Sequence, residues 1–132
     1  MNLNRILYVE DEPDIAAIVK VSLESIGGYQ VDACSSGPEA LEKAVSCPVD
    51  LILLDVMMPG MDGPATLAAL REIPTTLETP VVFMTAKTQV EEVARYRSLG
   101  VADVIAKPFD PMTLPERVAA IWSEYIERHT SG

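Results

Sequence analysis

The stretch Leu51-Ile52-Leu53-Leu54-Asp55-Val56-Met57-Met58-Pro59-Gly60-Met61-Asp62-Gly63 decides the fold. Its opening residues, Leu51–Leu54, are apolar without interruption, and an acid follows at once. Strict alternation would mark a strand with one face in water. An unbroken apolar run suits a strand covered on both faces, as in a parallel sheet. The run is far short of the roughly 18 residues of a membrane span, because Asp55 cuts it off. Asp62-Gly63-Pro64 then reads as the opening of a helix that carries Leu67 and Leu70 and is ended by Pro74.

The same alternation of strand and helix recurs on either side. The strand candidates are Arg5–Val9, Gln30–Ala33, Leu51–Leu54, Pro80–Met84 and Ala102–Ala106. Ile15, Ile18, Val19, Leu23 and Ile26 fall on one helical face, stopped by Gly27-Gly28. Ser36 with Glu39 reads as a capping box, and Thr88 with Glu91 as another. The last helix places Leu114, Val118, Ile121, Trp122, Tyr125 and Ile126 on one stripe. Pro74–Thr79 is the longest irregular stretch and reads as a loop. Five such βα units imply an α/β doubly wound parallel sheet, with right-handed crossovers and helices on both faces. Strand order does not follow from periodicity.

Composition sets the outer limits. A chain of 132 residues, 48% apolar and 23% charged, is one domain of ordinary globular composition. That excludes a disordered tail. Acids outnumber bases 20 to 10, for a net charge of −10, so phosphate backbones repel it and direct nucleic-acid binding is not expected. Met1–Arg5 carries no basic-then-apolar signal segment, so a cytoplasmic location is expected, with no membrane contact. Cys34 and Cys47 form no CxxC pair and read as free thiols rather than a disulfide. His129 is the lone histidine, which excludes a His/Cys zinc cluster and a serine–histidine hydrolase.

In doubly wound sheets, ligands bind beyond the carboxyl ends of the strands. Glu10, Asp11 and Glu12 follow the first strand, Asp55 the third, Thr85 and Ala86 the fourth, and Lys107, Pro108 and Phe109 the fifth. Acids from two strand ends repel unless a cation intervenes. Hard oxygen donors with open positions suit Mg2+, which also takes a phosphoryl oxygen. Lys107 supplies a compact positive charge and Thr85 a hydroxyl. A carboxylate so surrounded can act as a nucleophile and carry a phosphoryl group. Each residue alone has a plainer reading. Glu10–Glu12 can be a solvated turn favoured by a helix dipole, Asp55 a cap, Thr85 a local hydrogen-bonding residue, and Lys107 a surface charge. Their joint placement at one sheet end favours the chemical reading.

Four segments carry a resemblance: ILYVEDEP at the first strand end, LILLDVMMPGMDG at the third, VVFMTA at the fourth and AKPF at the fifth. With these, the chain resembles the receiver domain of bacterial response regulators, the chemotaxis-regulator-like fold. The likeness runs from about Arg5 to Ile126, giving one expected domain over 1–132 with its core at about 5–126. The resemblance implies a flavodoxin-like strand order 2-1-3-4-5. It makes Asp55 the phosphoacceptor, Asp11 with Asp55 the Mg2+ ligands, Glu10 an outer-shell acid and the Met57 backbone carbonyl a further ligand. Thr85 would bond a phosphoryl oxygen and Lys107 would pair with the phosphoryl group, both standing unpaired or solvent-linked until it arrives. A cis peptide at Lys107–Pro108 would aim the lysine inward.

The function so implied is a phosphorylation-activated signalling switch, not an enzyme acting on a separate substrate. The phosphoryl comes from a histidine kinase or histidine phosphotransfer protein, and the signal leaves through a downstream protein or output domain. Little chain follows Lys107 beyond one helix, so either a stand-alone receiver or part of a longer regulator is expected. The implied partner face, including a homodimer, is helix four, strand five and helix five. Arg95, Arg97 and Asp103 are its candidate cross-copy charges. One position departs from the pattern: receivers often place Tyr or Phe three residues before the lysine, and here it is Val104. A β-branched side chain has no ring to swing, so Val104 is expected to stay packed and the signal to leave through Ala86–Gln89 and the start of helix four.

Other readings fit less well. A haloacid-dehalogenase-type phosphatase wants DxD after the first strand, where this chain has Glu10-Asp11-Glu12-Pro13. An FMN binder wants a Gly/Ser/Thr phosphate loop there, and three acids would repel the phosphate. A degenerate receiver would lack one of Asp55, Asp11, Thr85 or Lys107, and all are present.

Overall fold

The unbroken apolar runs form the middle of the sheet in the computed structural model, which describes residues 2–130. Met1, Ser131 and Gly132, the ends of the expected domain, lie outside the described residues. The strands are β1 (Arg5–Val9), β2 (Gln30–Cys34), β3 (Leu51–Asp55), β4 (Val81–Thr85) and β5 (Asp103–Ala106). They pair in parallel in the order β2-β1-β3-β4-β5. Every residue of β3 and β4 is buried. Two bounds differ usefully from the sequence reading. Asp55 and Thr85 do not follow their strands but end them, Asp55 in register with Met84 and Thr85 with Ala106. Each side chain is therefore aimed by a strand rather than by a loop.

Successive side chains of a strand point to opposite faces, and this splits the core in two. Leu7, Val9, Ile52, Leu54 and Phe83 pack on one side. Ile6, Tyr8, Leu51, Leu53 and Met84 pack on the other. The first side is covered by α2 (Gly37–Ser46), α3 (Gly63–Leu70) and α4 (Val90–Ser98), through residues such as Ala40, Leu67 and Tyr96. The second is covered by α1 (Pro13–Val21) and α5 (Leu114–Thr130), through Val19, Val118 and Ile121. Cys34 and Cys47 are free thiols, and burial pushes Cys34 up to about 11.

Three local expectations are corrected. The face assigned to Ile15–Ile26 is not uniformly buried: Val19 and Leu23 are inside, while Ile18 and Ile26 are about half exposed. Ile18 flanks the buried stripe, and a π-helical turn over Ser22–Ile26 rotates Ile26 off it. At α2, Ser36 Oγ accepts from Glu39 N at 3.3 Å, but the Glu39 carboxylate turns to Ser35 N and Oγ, so the box is not reciprocal. At α4 the Thr88–Glu91 box does not form. The helix starts one turn position later, with Gln89 as its N-cap and Val93 N donating to Gln89 O. The α3 start is as read: Asp62 Oδ1 accepts from Ala65 N at 2.9 Å. That helix ends at Leu70, ahead of Pro74, and Arg71 Nη1 then holds the loop through the carbonyls of Thr76 and Thr79.

The loop from β3 to α3 is closed by Gly63 N donating to Val56 O at 2.9 Å, and it turns at Gly60, whose φ is +78°. A Cβ on Gly63 would lie 2.8 Å from Val56 Cα and 3.0 Å from Asp55 O, both backbone atoms that cannot step aside. Gly63→Ala is therefore expected to lose about 1–3 kcal/mol of stability by overpacking. Urea unfolding would measure it, and a wild-type midpoint would contradict the close approach.

Candidate functional site

Glu10 continues the direction of β1, its N–H donating to Cys34 O at 3.0 Å. The cis peptide Lys107–Pro108 follows β5, and Lys107 N donates to Thr85 O at 2.9 Å. These strand ends bring Glu10, Asp55, Thr85 and Lys107 to one edge of the sheet. Lys107 Nζ donates to Glu10 Oε1 at 3.0 Å and to Asp55 Oδ1 at 3.1 Å. Glu10 is 1% exposed and Asp55 3%. Burial alone would lower the Lys107 ammonium, but its hydrogen bonds to Glu10 and Asp55 outweigh that and hold it above the ordinary lysine value.

The resting lysine is thus already paired, contrary to the expectation that it waits free. The reason is charge: two buried carboxylates face each other, and Lys107 is the cation that β5 brings between them. Thr85 is engaged too, its Oγ1 accepting from Lys87 N at 3.0 Å and so tying the following loop to the strand end.

Carboxylate oxygens of Glu10, Asp11 and Asp55 lie within 4.8 Å of one another. Asp11 is half-buried. Three carboxylates against one ammonium leave excess negative charge on an all-oxygen donor set, which is the chemistry a hard divalent cation fits. Met57 N donates to Asp55 Oδ1 at 3.4 Å, so its backbone lies beside that carboxylate while the residue is 58% exposed. Glu12 is the outlier of the acidic triplet. It is exposed, its N–H approaches Glu10 Oε2 at 3.4 Å, and it serves as the N-cap residue of α1. For that one residue, the reading as a solvated turn describes the structure.

One site residue escaped the sequence reading. Tyr8, fully buried, donates its hydroxyl to Glu10 Oε1 at 3.2 Å. Residues two apart on a strand share a face, and a buried tyrosine hydroxyl needs a partner; together these rules pair Tyr8 with Glu10.

On the opposite flank, the proposed cross-copy charges pair within the chain. Arg97 of α4 and Arg117 of α5 both bond the Asp103 carboxylate, at 2.8 and 3.1 Å, and Arg95 pairs with Glu92. Val104 is partly buried, faces Phe83 in the sheet register and packs on the α2–α4 side of the core.

No described helix is long and apolar enough to cross a membrane. The family model for the response regulator receiver domain matches residues 6–119. The transcriptional regulatory protein DltR of Streptococcus agalactiae is 40% identical over 114 residues, which cover 86% of this chain and 50% of that protein. CpxR of Escherichia coli is 36% identical over 135 residues, covering 98% of this chain and 56% of that protein. The chain thus spans about half the length of these curated relatives. Among solved structures, the chemotaxis protein CheY4 of Vibrio cholerae superposes with a TM-score of 0.83 at 31% identity, over 91% of this chain and 99% of that one. With the sheet order and the strand-end acids in place, these matches make the chain a member of the response-regulator receiver family, the domains of two-component systems that are phosphorylated on an aspartate.

Proposed function

We propose that Asp55 is the phosphoacceptor of a Mg2+-dependent switch, and that a histidine kinase or histidine phosphotransfer protein is its donor. The observation that carries this is the Lys107 ammonium bridging Asp55 and Glu10 at the strand ends. Asp11 and Asp55, with the Met57 carbonyl, would hold the ion, and Glu10 would stand in its outer shell. Bound there, Mg2+ offsets the negative charge that otherwise repels an anionic donor.

An Asp55 carboxylate oxygen attacks phosphorus; the O–P bond forms as the P–N bond to the donor imidazole breaks. Lys107 leaves the carboxylate oxygens for a phosphoryl oxygen, a charge-assisted contact. Thr85 donates its hydroxyl hydrogen to the phosphoryl while its oxygen keeps accepting from Lys87 N. The same groups assist later attack by water, so the domain acts on its own phosphoryl rather than on a separate substrate.

The rim beside Lys107 is apolar, lined by Ile15, Ile18, Phe109 and Pro111. A donor protein can bury side chains there while presenting its phosphohistidine. The output partner, a downstream protein, an output domain or a second copy, is assigned to the α4–β5–α5 face. Self-pairing there would require the Arg97–Asp103–Arg117 contacts to exchange between copies.

The test is intact mass after incubation with acetyl phosphate. A gain of one phosphoryl group with Mg2+, and none with chelator, is expected. No gain in either condition, or turnover of unrelated phosphoesters instead, would overturn the reading.

Because Thr85 Oγ1 already holds Lys87 N, movement of Thr85 must carry the Ala86–Gln89 segment with it. Structures with and without beryllofluoride are expected to differ at that segment and at the start of α4, with Val104 keeping its rotamer. A rotamer change at Val104 beside a stationary Thr85 loop would contradict this route.

A further inference from the structure

Glu10 Oε1 accepts two hydrogen bonds, one from Lys107 Nζ at 3.0 Å and one from Tyr8 Oη at 3.2 Å. Lys107 has another place to go, whereas Tyr8 does not. The lysine side chain is 20% exposed and reaches the site from the β5 end. Tyr8 is 0% exposed, its ring packed among Ile6, Leu53 and Met84 on the α1–α5 side of the sheet. The two donors therefore differ in what they can do when a phosphoryl group arrives.

If Lys107 turns to the phosphoryl on Asp55, Glu10 Oε1 loses its cation while staying 1% exposed. A buried carboxylate oxygen stripped of its donors carries its full desolvation penalty, and that penalty would act as a restraint holding Lys107 back. From this geometry we infer that Tyr8 is a positioning residue for the phosphorylated state. Its hydroxyl remains on Glu10 Oε1, keeps that carboxylate oriented, and so lets Lys107 transfer to the phosphoryl group. The inference rests on the function proposed above and adds a residue to it. In the resting state the lysine is on Glu10 as well, so the hydroxyl matters less there. Its effect is a difference between two states rather than a uniform contribution to packing.

Tyr8→Phe removes the hydroxyl and keeps the ring. Two affinities should be measured on the purified chain: for Mg2+ alone, and for beryllofluoride, the phosphoryl mimic, at saturating Mg2+. Mg2+ affinity should stay within about twofold of wild type, because Lys107 still satisfies Glu10. Beryllofluoride affinity should fall by about three- to tenfold. A fall in both by the same factor would mean that Tyr8 only supports packing. No change, or tighter mimic binding, would equally overturn the inference.

Should the variant fail to fold, the wild-type protein carries a second readout. The Tyr8 ring carbon bearing the hydroxyl should shift in NMR spectra when beryllofluoride binds, as the phenol becomes the remaining buried donor to Oε1. An unmoved resonance would overturn the assignment. Failure of the wild-type chain to bind beryllofluoride at all would instead count against the proposed function.

Discussion

Asp55→Asn is expected to bring phosphoryl incorporation from acetyl phosphate down to background. The substitution keeps the shape at the end of β3, where Asp55 is 3% exposed. An amide oxygen is a poor nucleophile, so the bond to phosphorus does not form. Asp11, the half-buried acid beside it, is committed in this reading to holding the ion. Glu10 Oε1 is taken by Tyr8 and Lys107, and Glu12 is exposed at the head of α1. The fold should survive, because Lys107 keeps its bond to Glu10. Intact mass read alongside the far-UV spectrum separates the two effects: unmodified mass with a native spectrum is expected. Labelling at the wild-type level would remove Asp55 from the mechanism.

Lys107→Ala should cost more stability than a surface lysine would. In the resting protein its ammonium serves two carboxylates that have almost no access to water. Removing one partner of a buried ion pair leaves uncompensated charge, an effect of about 3 kcal/mol or more. For a chain of this length that is a fall of roughly 10 °C in Tm. The loss should appear in chelator and shrink when Mg2+ is added, since the ion can take over part of the neutralisation. The Mg2+-induced rise in Tm should therefore be larger in the variant than in wild type. Phosphorylation-dependent chemical shifts should be weakened as well. An unchanged Tm in chelator would contradict the bridging role. The sign with pH follows from the raised lysine value. The stabilisation is present below the ordinary lysine range and is lost as pH rises through the higher folded value.

The sheet was legible because burial on both faces leaves a direct mark in sequence. The runs Leu51–Leu54 and Pro80–Met84 suit strands covered on both faces, and β3 and β4 are indeed buried throughout. The gathering of Glu10, Asp55, Thr85 and Lys107 at one edge was legible for a related reason: parallel strands all deliver their carboxyl ends to the same side. Strand order was not, and it came only with the resemblance.

Pairing was also hidden. Sequence places Lys107 near the acids but cannot say that its ammonium already sits between Glu10 and Asp55, because that depends on side-chain reach across β1, β3 and β5. Arg97 and Arg117 likewise meet on Asp103 only once α4 and α5 flank β5. The Thr88–Glu91 spacing matched a capping box, yet the helix starts after Gln89, a choice of one residue that local pattern does not fix. Ile26 left its predicted face because a π-helical turn changes the period on which that prediction relied. Tyr8 was readable in principle, from its spacing to Glu10 on a strand, but an apolar neighbourhood made it look like ordinary core.

The most direct test locates the phosphoryl group. The chain is incubated with acetyl phosphate and Mg2+, the acyl phosphate is reduced with borohydride, and the resulting homoserine is mapped by peptide mass spectrometry. The expected result is homoserine at position 55 and at no other acid. Reduction at Glu10, Asp11 or any other carboxylate, with Asp55 intact, would contradict the assignment of Asp55 as phosphoacceptor.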